Sequence, residues 1–156
     1  MRADSRLSRM LHVLIHMIAQ KGPLTSDTIA TMLGTNPVVV RRTMASLRER
    51  GYVHSDKGHG GGWTLSARPE DISILDVYEA LGEPPIFAFD TGRADASCLV
   101  EQGVEAALSK VTEDARELML SRFSLVTLAD LTRDFDRRAR RLGLDAKDAT
   151  IGHHPA

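Results

Sequence analysis

The sequence predicts a mainly α-helical fold with a small two-stranded wing and a long C-terminal helix. Three observations carry that prediction. Apolar residues recur at helical spacing through most of the chain. Two short β-prone runs flank one glycine-rich segment. A long apolar stripe then runs through the second half without a visible covering partner.

Each element follows from local chemistry. Residues 5–20 place Leu7, Met10, Leu11, Leu14, Ile15 and Ile18 at helical spacing, and Gly22-Pro23 ends the run. Ser26 reads as the cap of a second, short helix over 26–33, with Ile29, Met32 and Leu33 inward and Gly34 as its break. Asn36 suits an N-cap and Pro37 the first helical position. The third helix is therefore expected from Pro37 to about Arg50, with a core stripe of Val40, Met44 and Leu47, ended by Gly51. Residues 52–55 and 63–65 read as strands around a tip of Asp56-Lys57-Gly58-His59-Gly60-Gly61-Gly62. Ser73-x-x-Asp76 has capping-box spacing for a helix through Leu81. Glu83-Pro84-Pro85 opens a loop or hinge that reaches Ser97.

The second half reads as helical. From Leu99 to about Phe123 the stripe comprises Val100, Val104, Leu108, Val111, Ala115, Leu118 and Met119. At ~1.5 Å per residue it is roughly 36 Å long, more than the rest of so small a chain can cover. Thr127-x-x-Asp130 caps a last helix into Arg141, and the polar tail 143–156 is expected to fray. There is no internal repeat.

Composition bounds the function. The chain has 156 residues, 42% hydrophobic and 26% charged, enough to bury one core and stay soluble. Disordered and collagen-like classes are excluded. No apolar run approaches the ~18 residues of a membrane span. Residues 1–20 are apolar on one face only and carry His12 and His16, an amphipathic helix rather than a signal peptide. Cys98 is the single cysteine, so no intrachain disulfide framework exists and a reducing cytoplasm is expected.

Charge is segregated. The first 68 residues hold ten Lys and Arg against four Asp and Glu, a net of +6. The remainder holds ten against seventeen, a net of −7. A basic first half suits a nucleic-acid partner, although solvated helix faces also differ by chance.

Three helices followed by a two-stranded wing describe a winged helix-turn-helix, whose second motif helix enters a DNA major groove by its N-terminal end. The positions expected to be exposed there are Thr35, Asn36, Val38, Val39, Arg41 and Arg42. Asn36 and Arg41 are types that read base edges, and Arg42 can equally contact phosphate. Arg48 and Arg50 lie further along and fit ordinary solvated charges as well as they fit DNA contacts. On the wing, Lys57 with Gly58, His59 and Gly60 suits a narrow minor groove, where glycines let the backbone approach closely. The bland alternative is a flexible turn. The glycine run also resembles a dinucleotide-binding fingerprint, but those need a helix next, and Trp63-Thr64-Leu65 reads as a strand.

The run from Ala30-Thr31-Met32-Leu33-Gly34-Thr35-Asn36-Pro37 through Leu47-Arg48-Glu49-Arg50-Gly51-Tyr52-Val53 resembles the Rrf2 family of bacterial transcription regulators. The wing 55–63 and the segment from Arg68-Pro69-Glu70-Asp71 to Leu81 continue the likeness, which spans roughly residues 5–135. The resemblance implies a homodimer on an inverted-repeat, double-stranded operator, usually a repressor. It also implies that the long helix crosses to the partner, through Val104, Leu108, Val111, Ala115 and Leu118. The organisation expected is a DNA-binding domain over 1–82, a connecting or sensor loop over 83–98, a helical dimerisation region over 99–142 and a flexible tail over 143–156.

Many members of that family carry three cysteines before the long helix and hold an iron–sulfur cluster there. This chain resembles the members that lack that site: it has Cys98 alone, at the last of those positions. Four thiolates, with occasional histidine, normally hold a cluster, so no cofactor is expected. His12 and His16 at i, i+4 form a possible metal pair, with Cys98 as a third donor across the dimer. Cys98 can also be an oxidant-sensing thiol, favoured as thiolate near a helix N-terminus, or an inert relic. A loop with Pro84, Pro85, Phe87 and Phe89 can instead line an effector pocket at the dimer interface. Two rival classes are a protein-binding adaptor and an enzyme using Cys98 with a histidine base. Asn36, Arg41 and Lys57 argue against the first, and no local catalytic signature supports the second.

Overall fold

The computed structural model describes residues 5–20, 22–58, 60–86 and 98–143. Within them the order is α1 (Arg6–Gln20), α2 (Ser26–Leu33), α3 (Pro37–Glu49), β1 (Val53–Asp56), β2 (Gly62–Leu65), a 3-10 turn (Pro69–Asp71), α4 (Ile74–Ala80), α5 (Leu99–Phe123) and α6 (Leu128–Arg141). The architecture is mainly helical with one antiparallel two-stranded wing, in which Val53 pairs Leu65 and Asp56 pairs Gly62.

The core sits where α1, α2, α3, α4 and the wing meet. Val13, Leu14, Ile29, Met44, Leu47, Ile72 and Val77 have no exposed surface. α1 is buried more broadly than its expected stripe, because Val13 and Met17 join Met10 and Leu14 inside. α3 buries Val40, Met44 and Leu47 as its spacing predicts.

Several boundaries differ from expectation for identifiable reasons. Thr25, not Ser26, caps α2, and its Oγ1 accepts from the Thr28 amide. The Ser26 hydroxyl is engaged elsewhere, accepting from the Trp63 indole at 3.0 Å. The first strand is Val53–Asp56 rather than 52–55, since the Tyr52 amide still donates to the Leu47 carbonyl at the end of α3. Leu24 adds a one-residue third strand: its amide donates to the Trp63 carbonyl at 3.0 Å and its carbonyl accepts from the Trp63 amide at 2.8 Å. Gly62 has no room for a side chain there, because a Cβ would lie 2.8 Å from the Leu24 oxygen.

Both capping boxes form. Ser73 with Asp76 and Thr127 with Asp130 exchange their reciprocal hydrogen bonds. The two N-caps also pair as an isolated antiparallel bridge, with Ile74 donating to Val126 and Leu128 donating to Ile72, each at 2.8 Å. That bridge seats Leu128 in the core and lays α6 along α1 and the 3-10 turn. α5 behaves differently. It spans Leu99–Phe123 and buries none of its residues, while Leu99, Val100, Val104, Leu108, Val111 and Leu118 are exposed. It is tied to α4 and the hinge by an edge-on Tyr78–Phe123 ring contact and an Arg116–Glu83 ion pair of 2.8 Å.

Candidate nucleic-acid interface

The turn before α3 is built by backbone bonding. Gly34 takes a left-handed φ of 57°, which ends α2, and the Thr35 amide returns to the Ala30 carbonyl at 2.9 Å. Asn36 then caps α3, with Oδ1 accepting from the amides of Val38 and Val39 at 3.0 Å each. Pro37 follows at the position that needs no amide donor. The outcome is a rigid helix start whose first turn points outward.

The predicted side chains are brought together there, with one correction. Asn36, Val38, Val39, Arg41 and Arg42 are exposed, whereas Thr35 is half-buried because it faces the cleft between α1 and α3. Val38 is 65% exposed and stands beside the exposed Val39 at the outward-facing start of the helix. Asn36 has committed Oδ1 to the cap, so only its amide Nδ2 remains for another partner. Arg41 and Arg42 enter no ion pair among the described residues.

The two more distant arginines are engaged within the chain. The Arg50 guanidinium donates to Glu79 at 3.0 Å, and Arg48 lies 6.0 Å from the centre of the Trp63 ring. These contacts hold the rear of α3 to α4 and to the wing. Neither role was legible locally, because the partners are distant in sequence.

On the wing, Lys57 and Gly58 are exposed, and Gly58 and Gly60 have φ of 98° and 82°, conformations that favour glycine. The Gly61 amide closes the tip onto the Gly58 carbonyl at 3.0 Å. His59 lies outside the described residues. At the wing base His54 stands 3.5 Å from Asp56.

Sequence reasoning missed a further pair of cations. Arg6 and Arg9, at i and i+3 on α1, line a cleft with Thr35, Val39, Val40 and Thr43. Arg9 also donates to the Leu33 carbonyl, capping the end of α2. The i, i+3 spacing was readable as one helix face, but not its position beside α3.

Cys98 is half-buried at the N-cap of α5 and makes no side-chain capping bond. Val104, Leu108, Val111 and Leu118 are exposed along α5, and Ala115 is half-buried. His12 and His16 face one another on α1. Among the described residues no three His, Cys, Asp or Glu side chains come together around a metal position. Phe87 and Phe89 of the supposed effector loop, and residues 144–156 of the tail, lie outside the described residues. No helix among the described residues is long and apolar enough to cross a membrane.

A short helix, a tight turn, a second helix with an outward-facing start and a β-wing beside it define a winged helix-turn-helix regulator. The chain belongs to the Rrf2 family: the family model, described as iron-dependent transcriptional regulator, matches residues 3–134. YwnA of Bacillus subtilis, named as an HTH-type transcriptional regulator, is 31% identical over 129 residues, covering 82% of this chain and 95% of that protein. Two solved structures share the fold. A transcriptional regulator from Lactobacillus plantarum superposes with a TM-score of 0.70 at 23% identity, over 89% of this chain and 95% of its own. T. potens IscR gives 0.60 at 23% identity, over 88% and 90%. The protein is thus a DNA-binding transcriptional regulator of this family.

The family description raises an iron group, and the donor chemistry here does not suit a cysteine-held cluster. One chain offers a single thiolate where four are usual, and the described His, Asp and Glu side chains do not converge with it.

Proposed function

We propose that the protein is a cytoplasmic, non-enzymatic homodimeric repressor of an inverted-repeat operator, with no iron–sulfur cluster, that responds to oxidants through Cys98. The observation that carries the DNA-reading part is the outward-facing start of α3. Val38 and Val39 present methyl groups suited to thymine, Arg41 suits guanine, and Arg42 suits a base or a phosphate. Arg6 and Arg9 bring positive charge to the same end for phosphate contact. Lys57 on the wing reaches the adjacent minor groove, with Gly58 and Gly60 permitting close approach and His59 as a further candidate contact.

The exposed stripe of α5 supports the dimer. Val104, Leu108, Val111, Ala115 and Leu118 from two chains bury one another, one recognition helix then serving each half-site. For the switch, peroxide takes two thiols, Cys98 and the partner's Cys98, to a disulfide and is itself reduced to two waters. The position of Cys98 supports this reading: the residue is half-buried at the N-cap of α5 and its thiol makes no capping bond.

The test is fluorescence anisotropy on the gene's own upstream DNA at fixed salt. Reduced protein is expected to bind, and peroxide-treated protein to bind less, with Cys98→Ser indifferent to peroxide. Arg41→Ala should cost of order 1–3 kcal/mol and relax specificity, whereas Lys57→Ala should weaken all sequences evenly and flatten the salt slope. Operator affinity unchanged in both variants would overturn the docking geometry. Binding indifferent to peroxide in the wild type would remove Cys98 from the mechanism.

A further inference from the structure

His12 and His16 stand one turn apart on α1, both half-buried, with Nε2 atoms 2.6 Å apart. Their ring centroids are 4.5 Å apart and their planes are inclined by 37°. Two neutral imidazoles approach so closely only when one Nε2 keeps its proton and the other presents its lone pair. Inward-turned Nε2 atoms at i and i+4 are also the arrangement by which a helix chelates a metal ion. A first-row cation takes imidazole nitrogen at about 2.0–2.1 Å, so a right-angled chelate needs an N···N separation of roughly 3 Å. A small opening of the pair reaches it. His12, though not His16, also lines an open cleft of about 380 Å³, with Arg9, Thr31, Met32, Leu33 and Gly34.

We propose that α1 carries a two-histidine site for an imidazole-preferring divalent cation of the Zn²⁺, Ni²⁺ and Cu²⁺ class, independent of Cys98. The donor type decides the class, since Mg²⁺ and Ca²⁺ take oxygen ligands and two ring nitrogens suit the borderline metals. Arg9 lines the same cleft, and its positive charge makes the site weak and exchangeable. The bound ion clamps one turn of α1 beside residues 31–34, the segment that leads into the turn ahead of α3.

The test uses the full chain carrying Cys98→Ser, His153→Gln and His154→Gln, stripped of metal and titrated with Ni²⁺ and with Zn²⁺ by calorimetry and thermal unfolding. One ion per chain is expected, with Tm rising with free metal. His12→Gln and His16→Gln, made singly, should each weaken binding at least about tenfold, the cost of losing even an outer-shell partner. His54→Gln should leave it unchanged. Should His16→Gln fail to fold, His12→Gln at the cleft mouth and the Cu²⁺ electron-spin-resonance spectrum of the parent, expected to show two ring nitrogens, still decide. Binding that survives His12→Gln, a spectrum with one nitrogen, or no heat and no Tm rise in the parent overturns the proposal.

Discussion

Asn36 carries two tasks that compete for one side chain. Its Oδ1 satisfies two amides at the start of α3, so only Nδ2 can face DNA. Asn36→Ala should therefore cost about 1 kcal/mol in urea unfolding, the usual loss for an N-cap. Asn36→Asp keeps the acceptor, replaces the donor with a charge, and should fold like the wild type while binding the operator more weakly in anisotropy. Equal operator binding by both wild type and Asn36→Asp would remove Asn36 from the interface. Asp76 shows a different balance. Desolvation opposes its charge, but hydrogen bonds from the Ser73 hydroxyl and amide and from Tyr52 outweigh that and hold its carboxyl below the ordinary 3.8. A depressed folded value contributes stability in full above the unfolded value and loses it as pH falls through the folded one. Thermal unfolding should thus fall on acidification below about pH 4. Asp76→Asn should lower Tm at neutral pH and flatten that acid limb, which pH-scanned calorimetry reads directly.

At the scale of elements, α5 and the wing illustrate opposite kinds of evidence. The α5 stripe was visible as a period in the sequence, and the structure leaves it exposed on a helix with no buried residue. If the proposed dimer packs through this stripe, Val111→Asp should convert it to monomer in analytical ultracentrifugation by placing an unpaired charge in the contact, while circular dichroism stays native. A dimer that persists would put the interface elsewhere. The wing was visible only in part. Its strands and tip follow from β-prone residues and glycines, but its third strand, Leu24, is a single residue beside Gly22-Pro23 with no strand pattern of its own. The Trp63 contacts with Ser26 and Arg48 then lock the wing to both helices of the motif, so the spacing of wing and recognition helix is a tertiary property.

For the whole molecule, the decisive feature is that the chain returns. α6 leaves the α5 arm and packs on α1 and the 3-10 turn, with Leu128 in the core and Ala139 buried. Leu128→Ala should cost about 2–5 kcal/mol of unfolding free energy, as for a core truncation in a compact body. Urea unfolding at several protein concentrations separates this from a dimer effect, which would fade as the monomer comes to dominate. A concentration-dependent loss alone would place Leu128 in the dimer contact instead.

What the sequence determined by itself is local. The caps at Asn36, Ser73 and Thr127, the breaks at Gly34 and Gly51, the core stripe of α3 and the span of α5 all follow from hydrogen bonds and periodicities within a few residues. The outward-facing start of α3 was legible for the same reason. Tertiary structure alone decided the Ser73–Thr127 bridge, the Arg50–Glu79 pair, the half-burial of Thr35 and the approach of Arg6 and Arg9 to α3. Each of these joins residues far apart in the chain, and such contacts form where burying Leu128, Trp63 and Met10 sets the placement of whole elements. No local pattern encodes that, because the free energy comes from surfaces that meet only after the chain has folded.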